Sequence, residues 1–494
     1  MIEKVLIFSF LFLLFLIFLY SLVQLNLLLN YLRIGKIPDP ELTDGLSLPA
    51  EIPFVTIQLP VYNEKNIVER LLRNIAEFDY PKDKMEFQVL DDSTDESVEI
   101  IASITQELRE KGLNFIHIRR KNRIGFKAGA LREGLKSAKG EYIAVFDSDF
   151  LPRPDWLQRT IPYFKNKEIG VVQTRWGHIN RNYSLLTRMQ AFVLDFHFFL
   201  EQQGRNHGRH FINFNGTAGV WRKQCILDAG NWQSDTLTED LDLSYRAQMK
   251  NWKFRYLEMV ETPAELPITI TAVKSQQFRW NKGAAENFQK NFFRLSRNKS
   301  IPIGTKIHAF FHLLNSSLFL IVFALAVLSV PLVFIISDYS YSGLGVIMIF
   351  FSFSTLIFLI SYWVTFVRDT RNDNISFWRY LQLFFIFFSI AMGFSFHNSI
   401  AVLEGHFGIK SDFIRTPKFN LGLREKYIEK TRIRLDPALA FEMLLFLYFL
   451  FAVIYAFILG NYSLIIFHLM LSVGFGFVIF HSLGLNIYLP PKDK

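Results

Sequence analysis

Asp147 and Asp149 stand two residues apart, directly after the apolar run YIAVF. Two carboxylates where a strand passes into a loop can converge on one hard divalent ion. Mg2+ or Mn2+ held by one or two carboxylates plus phosphate oxygens is the usual arrangement. A lone D-x-D is also a common solvated turn, and its position after a strand is what favours the metal. Asp91 and Asp92 close a second apolar run. A carboxylate there can accept hydrogen bonds from a nucleobase or ribose, while Asp92, Ser93, Thr94 and Asp95 are all good helix-capping types. Arg123 and Lys127 lie in KNRIGFKAGALREGL, a turn leading into a helix. A lysine near that helix start suits a diphosphate; a plain surface lysine is the alternative. Thr238-Glu239-Asp240 precedes the helical stretch LDLSYRAQMKNW. Such residues cap and charge a first turn, or supply a general base when partly buried beside a bound substrate. Gln276-Gln277-Phe278-Arg279-Trp280 joins a planar cation, suited to phosphate, to an indole, suited to the face of a sugar ring. An ordinary membrane-proximal Trp and Arg pair has the same composition.

Groups so far apart need a scaffold that gathers loops at one place. Strand-length apolar runs occur at 54–59, 87–91, 115–118, 142–147 and 170–174. Stretches with helical spacing of apolar residues separate them, such as 66–78 and 95–112. This alternation predicts a doubly wound, largely parallel α/β sheet. In such sheets ligands bind beyond the carboxyl ends of the strands, where PVYNE (60–64), DDSTD (91–95) and DSD (147–149) fall. No G-x-G-x-x-G follows the first strand and no G-x-x-x-x-G-K-[ST] occurs anywhere, which argues against a dinucleotide oxidoreductase and a P-loop ATPase.

The rest of the 494-residue chain is of a different kind. Residues 5–32, 307–336, 343–366, 380–403, 443–459 and 461–483 contain no Asp, Glu, Lys or Arg. Most of these runs reach the ~18–20 residues of a membrane-spanning helix, with Glu442 trimming the fifth. A wholly soluble protein, a disordered one and a single-span enzyme are excluded. Net charge is +9, but block 33–306 mixes both signs, so nucleic-acid binding is not expected. The one cysteine, Cys225, excludes an internal disulfide and a Cys-based zinc site. Arg33 and Lys36 after the first run place block 33–306 in the cytoplasm. Three spans between 307 and 403 would then put 404–442 outside, yet that segment carries eight Lys and Arg between Lys410 and Arg434. One run is therefore not a simple span. The suspects are 377–403, re-entrant or interfacial, and 307–336, whose HAFFHLLNSS start would lie along the interface. Polar groups there (His308, His312, Asn315, His397 and Asn398) would line a pathway or sit in packed helix interfaces.

PVYNE, DD, KAG, DSD, FNGT (214–217), TED and QQFRW follow one another in one α/β block between a leading apolar segment and a trailing apolar bundle. In QLPVYNE, QVLDDSTDES, FNGTAGVWR, TEDLDLSYRA and QQFRW the chain resembles a family 2 glycosyltransferase of the cellulose-synthase-like kind, similar to plant glucomannan mannosyltransferases and glucan synthases. The resemblance implies a GT-A-like nucleotide-sugar domain at 33–306, inserted between a transmembrane anchor at 1–32 and a multi-span membrane domain at 307–494. It implies that Tyr62, Glu64 and Asp91 hold the nucleotide and Lys127 meets the diphosphate. Asp147 and Asp149 would bind the donor and Mg2+ or Mn2+, and Asp240 would be the general base. Gln276, Arg279 and Trp280 would bind the diphosphate and the acceptor sugar. FIRTPK (413–418) is similar to the gating-loop motif of cellulose synthases, which would bring Thr416 and Lys418 to the nucleotide; the family's valine is Arg415 here. The implied partners are a nucleotide sugar (UDP-glucose or GDP-mannose), a glycan or lipid acceptor and membrane lipid. The implied location is a bacterial inner membrane with the catalytic domain facing the cytoplasm. A non-processive enzyme acting on a lipid, a transporter with a nucleotide-binding domain and a non-catalytic partner of a synthase are the rival readings. Oligomeric state is left open.

Overall fold

The computed structural model describes residues 1–33, 48–338, 344–369, 375–411, 418 and 437–484. Its centre is a seven-stranded sheet of order β3-β2-β1-β4-β6-β5-β7. The strands are β1 (Val55–Val61), β2 (Met85–Asp91), β3 (Phe115–Arg119), β4 (Tyr142–Val145), β5 (Ile169–His178), β6 (Gly219–Arg222) and β7 (Lys253–Ala264). The first four are parallel, β5 and β7 are parallel, and β6 runs antiparallel between β4 and β5. β1 and β2 are buried on both faces almost throughout, as near-continuous apolar runs in parallel sheets should be.

Helices seal both faces. Val68, Leu71, Leu72 and Ile75 of α2 (Val68–Ile75), with Ile101, Ile104 and Leu108 of α3 (Ser97–Glu110), pack on one side of the sheet. On the other side lie Ala128, Leu131 and Leu135 of α4 (Phe126–Ser137), joined by Phe214, Trp221 and Leu243. Each fully buried Leu or Ile of this kind contributes roughly 1.5–3 kcal/mol.

The register decides where the loops emerge. Val61 pairs with Asp91, so the loops after β1 and β2 leave side by side. Val145 pairs with Gly219 across the antiparallel β4–β6 ladder. FNGT therefore enters β6 at the edge where β4 releases Asp147. Thr217 Oγ1 fixes the junction by accepting from the Asp147 N–H at 2.9 Å.

Among the described residues four helices are long and apolar enough to cross a membrane: Ile2–Leu32 (α1), Asn315–Ile335, Pro437–Leu459 and Ile465–Ser482. Phe377–Gly393 and Ser395–His406 are a pair bent by 51° at a short break. This is the run expected not to be a simple span. Run 307–336 divides as well, into Ile303–Leu313 and the span beginning at Asn315. The expected boundary at Glu442 moves. The helix starts at Pro437 and carries Glu442 fully buried, because Lys274 Nζ meets both carboxylate oxygens at 2.8 and 2.9 Å.

The polar groups considered for a pathway are bonded across helix interfaces. His308 meets Asn26, His312 meets the Tyr245 hydroxyl, and Tyr20 donates to Asn315. His397 meets the Lys274 carbonyl, and Asn398 donates to Gln277 Oε1 at 2.7 Å.

A 28-residue helix, Ile270–Arg297, joins the two halves of the molecule. Its first turn is capped by Thr269, whose hydroxyl accepts from the Ala272 N–H. It carries QQFRW past the carboxyl edge of the sheet.

Candidate active site

The cleft at that edge is lined by residues from many separate stretches of chain. Tyr62 and Glu64 come from the loop after β1, Asp92 from the loop after β2, and Arg123 and Lys127 from the entry to α4. Asp147 and Asp149 follow β4, Asn215 and Gly216 precede β6, and Glu239 and Asp240 open the helix Glu239–Gln248. Gln276, Arg279 and Trp280 lie on the joining helix, and Lys418 arrives from the C-terminal half.

Lys127 is the hub. Its Nζ donates to Asp147 Oδ1 at 2.6 Å and to the Gly216 carbonyl at 2.8 Å. Burial opposes its charge, but Asp147, Glu239 and Asp240 outweigh burial and hold the ammonium above its ordinary value. Gly216 has φ +80°, a conformation that favours glycine. A methyl group there would stand 3.0 Å from Asp240 Oδ2 and 3.5 Å from Lys127 Nζ. The bare backbone at this point lets the Asp240 carboxylate, Lys127 and the FNGT loop share one small space.

Asp240 begins its helix with Oδ1 accepting from the Leu241 N–H at 2.8 Å. Burial first, and the adjacent Glu239 carboxylate second, push its pKa up to about 7. Glu239 is raised as well, chiefly by burial. A carboxyl poised near neutrality inside a cleft is suited to taking a proton. The capping expected of Thr238 takes another form. Its hydroxyl accepts from Asn287 Nδ2 at 3.0 Å, and Asn287 also donates to the Thr238 carbonyl. Gly283 lies against the same threonine, where a Cβ would fall 2.5 Å from Thr238 Oγ1. The joining helix is thus seated directly on the TED turn. Burial lowers the pKa of Arg279, while Glu239, Asp147 and Asp240 pull the other way. Trp280, 37% exposed, stands at the cleft margin.

Lys418 Nζ donates to Asp149 Oδ1 at 2.5 Å and to Ser148 Oγ at 3.3 Å, with Glu64 Oε1 at 3.9 Å. Asp149 is nonetheless lifted above the ordinary carboxylate range, mainly by burial. Thr416, its expected companion, lies outside the described residues. Tyr62 is overlain by Arg123, whose guanidinium carbon is 3.4 Å from the ring centroid.

Asp91 behaves differently from the expectation. It does not line the cleft. Its Oδ1 accepts from the Ser93 N–H at 2.8 Å and its Oδ2 meets His117 Nε2 at 2.9 Å. Those bonds outweigh burial and hold its pKa below the ordinary value. Asp92 is the carboxylate in the lining, held at both oxygens by Nε and Nη2 of Arg120.

Among the described residues no group of three or more His, Cys, Asp and Glu side chains forms a ready metal cage. An ion that draws half its ligands from a diphosphate does not need one. Asp147 and Asp149, both in the lining and each already facing one ammonium, have the oxygen donors that Mg2+ or Mn2+ takes.

Two family models match the chain: glycosyl transferase family 2 over residues 56–225 and glycosyl transferase family group 2 over residues 142–368. Glucomannan 4-beta-mannosyltransferase 1 of Oryza sativa subsp. japonica is 36% identical over 409 residues, 81% of this chain and 75% of that one. The chain belongs to glycosyltransferase family 2, on its cellulose-synthase-like branch. This glycosyltransferase is also 33% identical to the rice protein called probable glucomannan 4-beta-mannosyltransferase 2, over 89% of its own length and 77% of the relative's. The solved mannosyltransferase from Pyrobaculum calidifontis, in complex with GDP-Man and Mn2+, aligns with TM-score 0.50 and 20% identity, over 76% of this chain and 100% of that one. That likeness is one of fold, and the fold is GT-A-like.

Several lining residues of the glycosyltransferase escape a reading by motif. Glu239 was legible only as a helix-start charge. Asn215 and Gly216 sit in FNGT, which stands out as a motif without naming a role. Trp176, His178 and Glu265, from β5 and the end of β7, have no sequence signal at all, because sheet topology alone brings them to the cleft.

Proposed function

We propose that this glycosyltransferase extends a β-linked hexose polymer from a nucleotide sugar bound at the cytoplasmic membrane face, with Asp240 as general base. The observation that carries the reading is the convergence of Asp147, Asp149, Asp240, Lys127 and Arg279 in one cleft, with Asp240 buried and raised to about 7. Tyr62 under Arg123 offers a platform for the base, with Glu64 and Asp92 beside it. Asp91, bonded to Ser93 and His117, sits behind that lining. Lys127 and Arg279 face the diphosphate, joined by Gln276 and Lys418. Trp280 offers its face to the acceptor sugar.

Mg2+ or Mn2+ held by Asp147 and Asp149 would neutralise charge on the departing diphosphate. Asp240 takes the proton of an acceptor hydroxyl as that oxygen forms its bond to the anomeric carbon. The bond from that carbon to the diphosphate oxygen breaks on the opposite face. With Asp240 acting as base and the acceptor oxygen as the nucleophile, a single displacement inverts the anomeric centre, so an α-linked donor gives a β-glycoside. The names of the rice relatives support mannose as the transferred sugar, which makes GDP-mannose the first donor to test and UDP-glucose the second. A cytoplasmic cleft is supported by the Lys and Arg that follow the first span and fill 404–442.

The experiment is a donor panel of GDP-mannose, UDP-glucose and UDP-N-acetylglucosamine on the purified full-length enzyme with Mg2+ or Mn2+, with the product sized. A polymer from one donor is expected. A lipid carrying a single sugar would replace the polymer reading.

A further inference from the structure

We infer that Arg120 is a positioning residue for the donor half of the cleft: its guanidinium ties the loop after β2 to the turn before α4, and so sets Asp92, Arg123 and Lys127 relative to one another. The inference rests on reading the cleft as a nucleotide-sugar site. Arg120 is the first residue after β3 and is not among the residues that line the cleft. Its Nε and Nη2 hold the two carboxylate oxygens of Asp92. Nη1 donates to the Ile124 carbonyl at 2.9 Å, and Nη2 also donates to the Phe126 carbonyl at 3.0 Å. One rigid fork of N–H donors therefore joins a carboxylate of the lining to two carbonyls of a neighbouring turn.

That turn does not take its shape unaided. Gly125 has φ +74° and Phe126 has φ +47°. Glycine adopts such a conformation freely, but an aromatic residue meets steric resistance there and stays only where its surroundings enforce it. Arg120 bonds to the carbonyl of that strained residue. Gly129, in the first turn of α4, leaves the room. A Cβ there would stand 2.1 Å from the Ile124 carbonyl oxygen and 2.6 Å from Arg120 Nη1. The turn reaches the lining on both sides. Lys127, which meets Asp147 and Gly216, is the next residue after Phe126. Arg123, which overlies Tyr62, lies inside the turn, where its carbonyl accepts from the Phe126 N–H at 3.1 Å. A lysine at position 120 would match the charge of Asp92, but its single nitrogen has no fixed fork with which to reach both carbonyls as well.

The test uses the purified full-length enzyme, with GDP and UDP as binding probes and GDP-mannose and UDP-glucose as donors. Arg120→Lys is expected to raise the nucleotide Kd and the donor KM about tenfold, and Arg120→Met by as much or more. A residue that only stabilised the domain would lower the melting temperature and leave the Kd of the folded protein where it was. Phe126→Gly supplies a second readout, because glycine relieves the turn of its strain. Arg120→Lys/Phe126→Gly is expected to regain at least about threefold of the affinity lost in Arg120→Lys. An unchanged Kd and KM in Arg120→Lys would overturn the inference, and so would a double variant without recovery. Lys127→Met is the control for the reading beneath it. An unchanged Kd in Lys127→Met would overturn the nucleotide-site reading and the inference together, whereas a weakened Lys127→Met beside an unaltered Arg120→Lys would overturn the inference alone. If Arg120→Met aggregates because Asp92 is left unpaired, Arg120→Lys, which keeps a positive charge beside Asp92, carries the comparison.

Discussion

On the proposed reading the chemistry centres on Asp240, whose carboxyl pKa is pushed up to about 7 by burial and the neighbouring Glu239. Below pH 7 its carboxyl is mostly protonated and cannot accept a proton, so transfer is expected to rise as pH rises through about 7. A pH profile of kcat/KM checks this, and an acid limb at or below pH 5 would place the base elsewhere. Asp240→Asn is expected to lower transfer at least about a thousandfold while GDP or UDP still binds, because the lost group acts in the transition state. Nucleotide release and a binding titration separate the two effects. The same shift acts on stability. The fold binds this proton more tightly than the unfolded chain does. The favourable contribution is complete below the ordinary carboxylate value of 3.8 and is lost as pH rises through 7. Asp240→Asn is therefore expected to melt higher than the parent at pH 8, by a few degrees, and to lose that advantage at pH 4. Equal melting temperatures at both pH values would show that the charge costs the fold nothing.

The elements around Asp240 tolerate little displacement. Gly283 sets how closely the joining helix approaches the TED turn, and a Cβ there would meet both the hydroxyl and the backbone nitrogen of Thr238. Gly283→Ala is expected to shift the helix by a few tenths of an ångström or more. The expected loss is about tenfold or greater in kcat, with expression and melting nearly unchanged. An unaltered kcat would mean that the turn yields without moving Asp240. Much of this arrangement was legible in the residues. Five strands, α2, α3 and the helix behind TED follow from apolar periodicity. β6 and β7 did not. GVWR is only four residues long and finds its pairing through Gly219 and Val145. KFRYLEMVETPA carries charges that look unfit for a strand until Glu261 meets Arg175 and Glu258 meets Arg368. Asp91 and Asp92 are indistinguishable in sequence. Their partners decide between them: Ser93 and His117 hold Asp91 behind the wall, while Arg120 holds Asp92 in the lining.

At the scale of the molecule, the cleft and the first helix are one polar system. Asn215 in the lining meets His197 Nε2 at 3.2 Å, and His197 Nδ1 meets Glu201 at 2.9 Å. Gln24 of α1 donates to Glu201 at 2.7 Å, and Tyr20 continues the chain to Asn315. His197 and Glu201 lie on a stretch of π-helix, Phe196–Gln202, a geometry that marks functional sites more often than chance. Replacing α1 with a leucine-rich span of equal length is expected to keep the protein in the membrane and lower kcat about tenfold or more. The reason is that Glu201 loses a buried donor, a loss of about 1–3 kcal/mol at that group. Membrane-fraction assays with matched protein amounts check this, and full activity would reduce α1 to an anchor. The practical corollary concerns extraction. A detergent harsh enough to loosen the first span should silence the enzyme while its sheet domain is still folded, so inactivation on solubilisation should precede the thermal transition and reverse when lipid is restored.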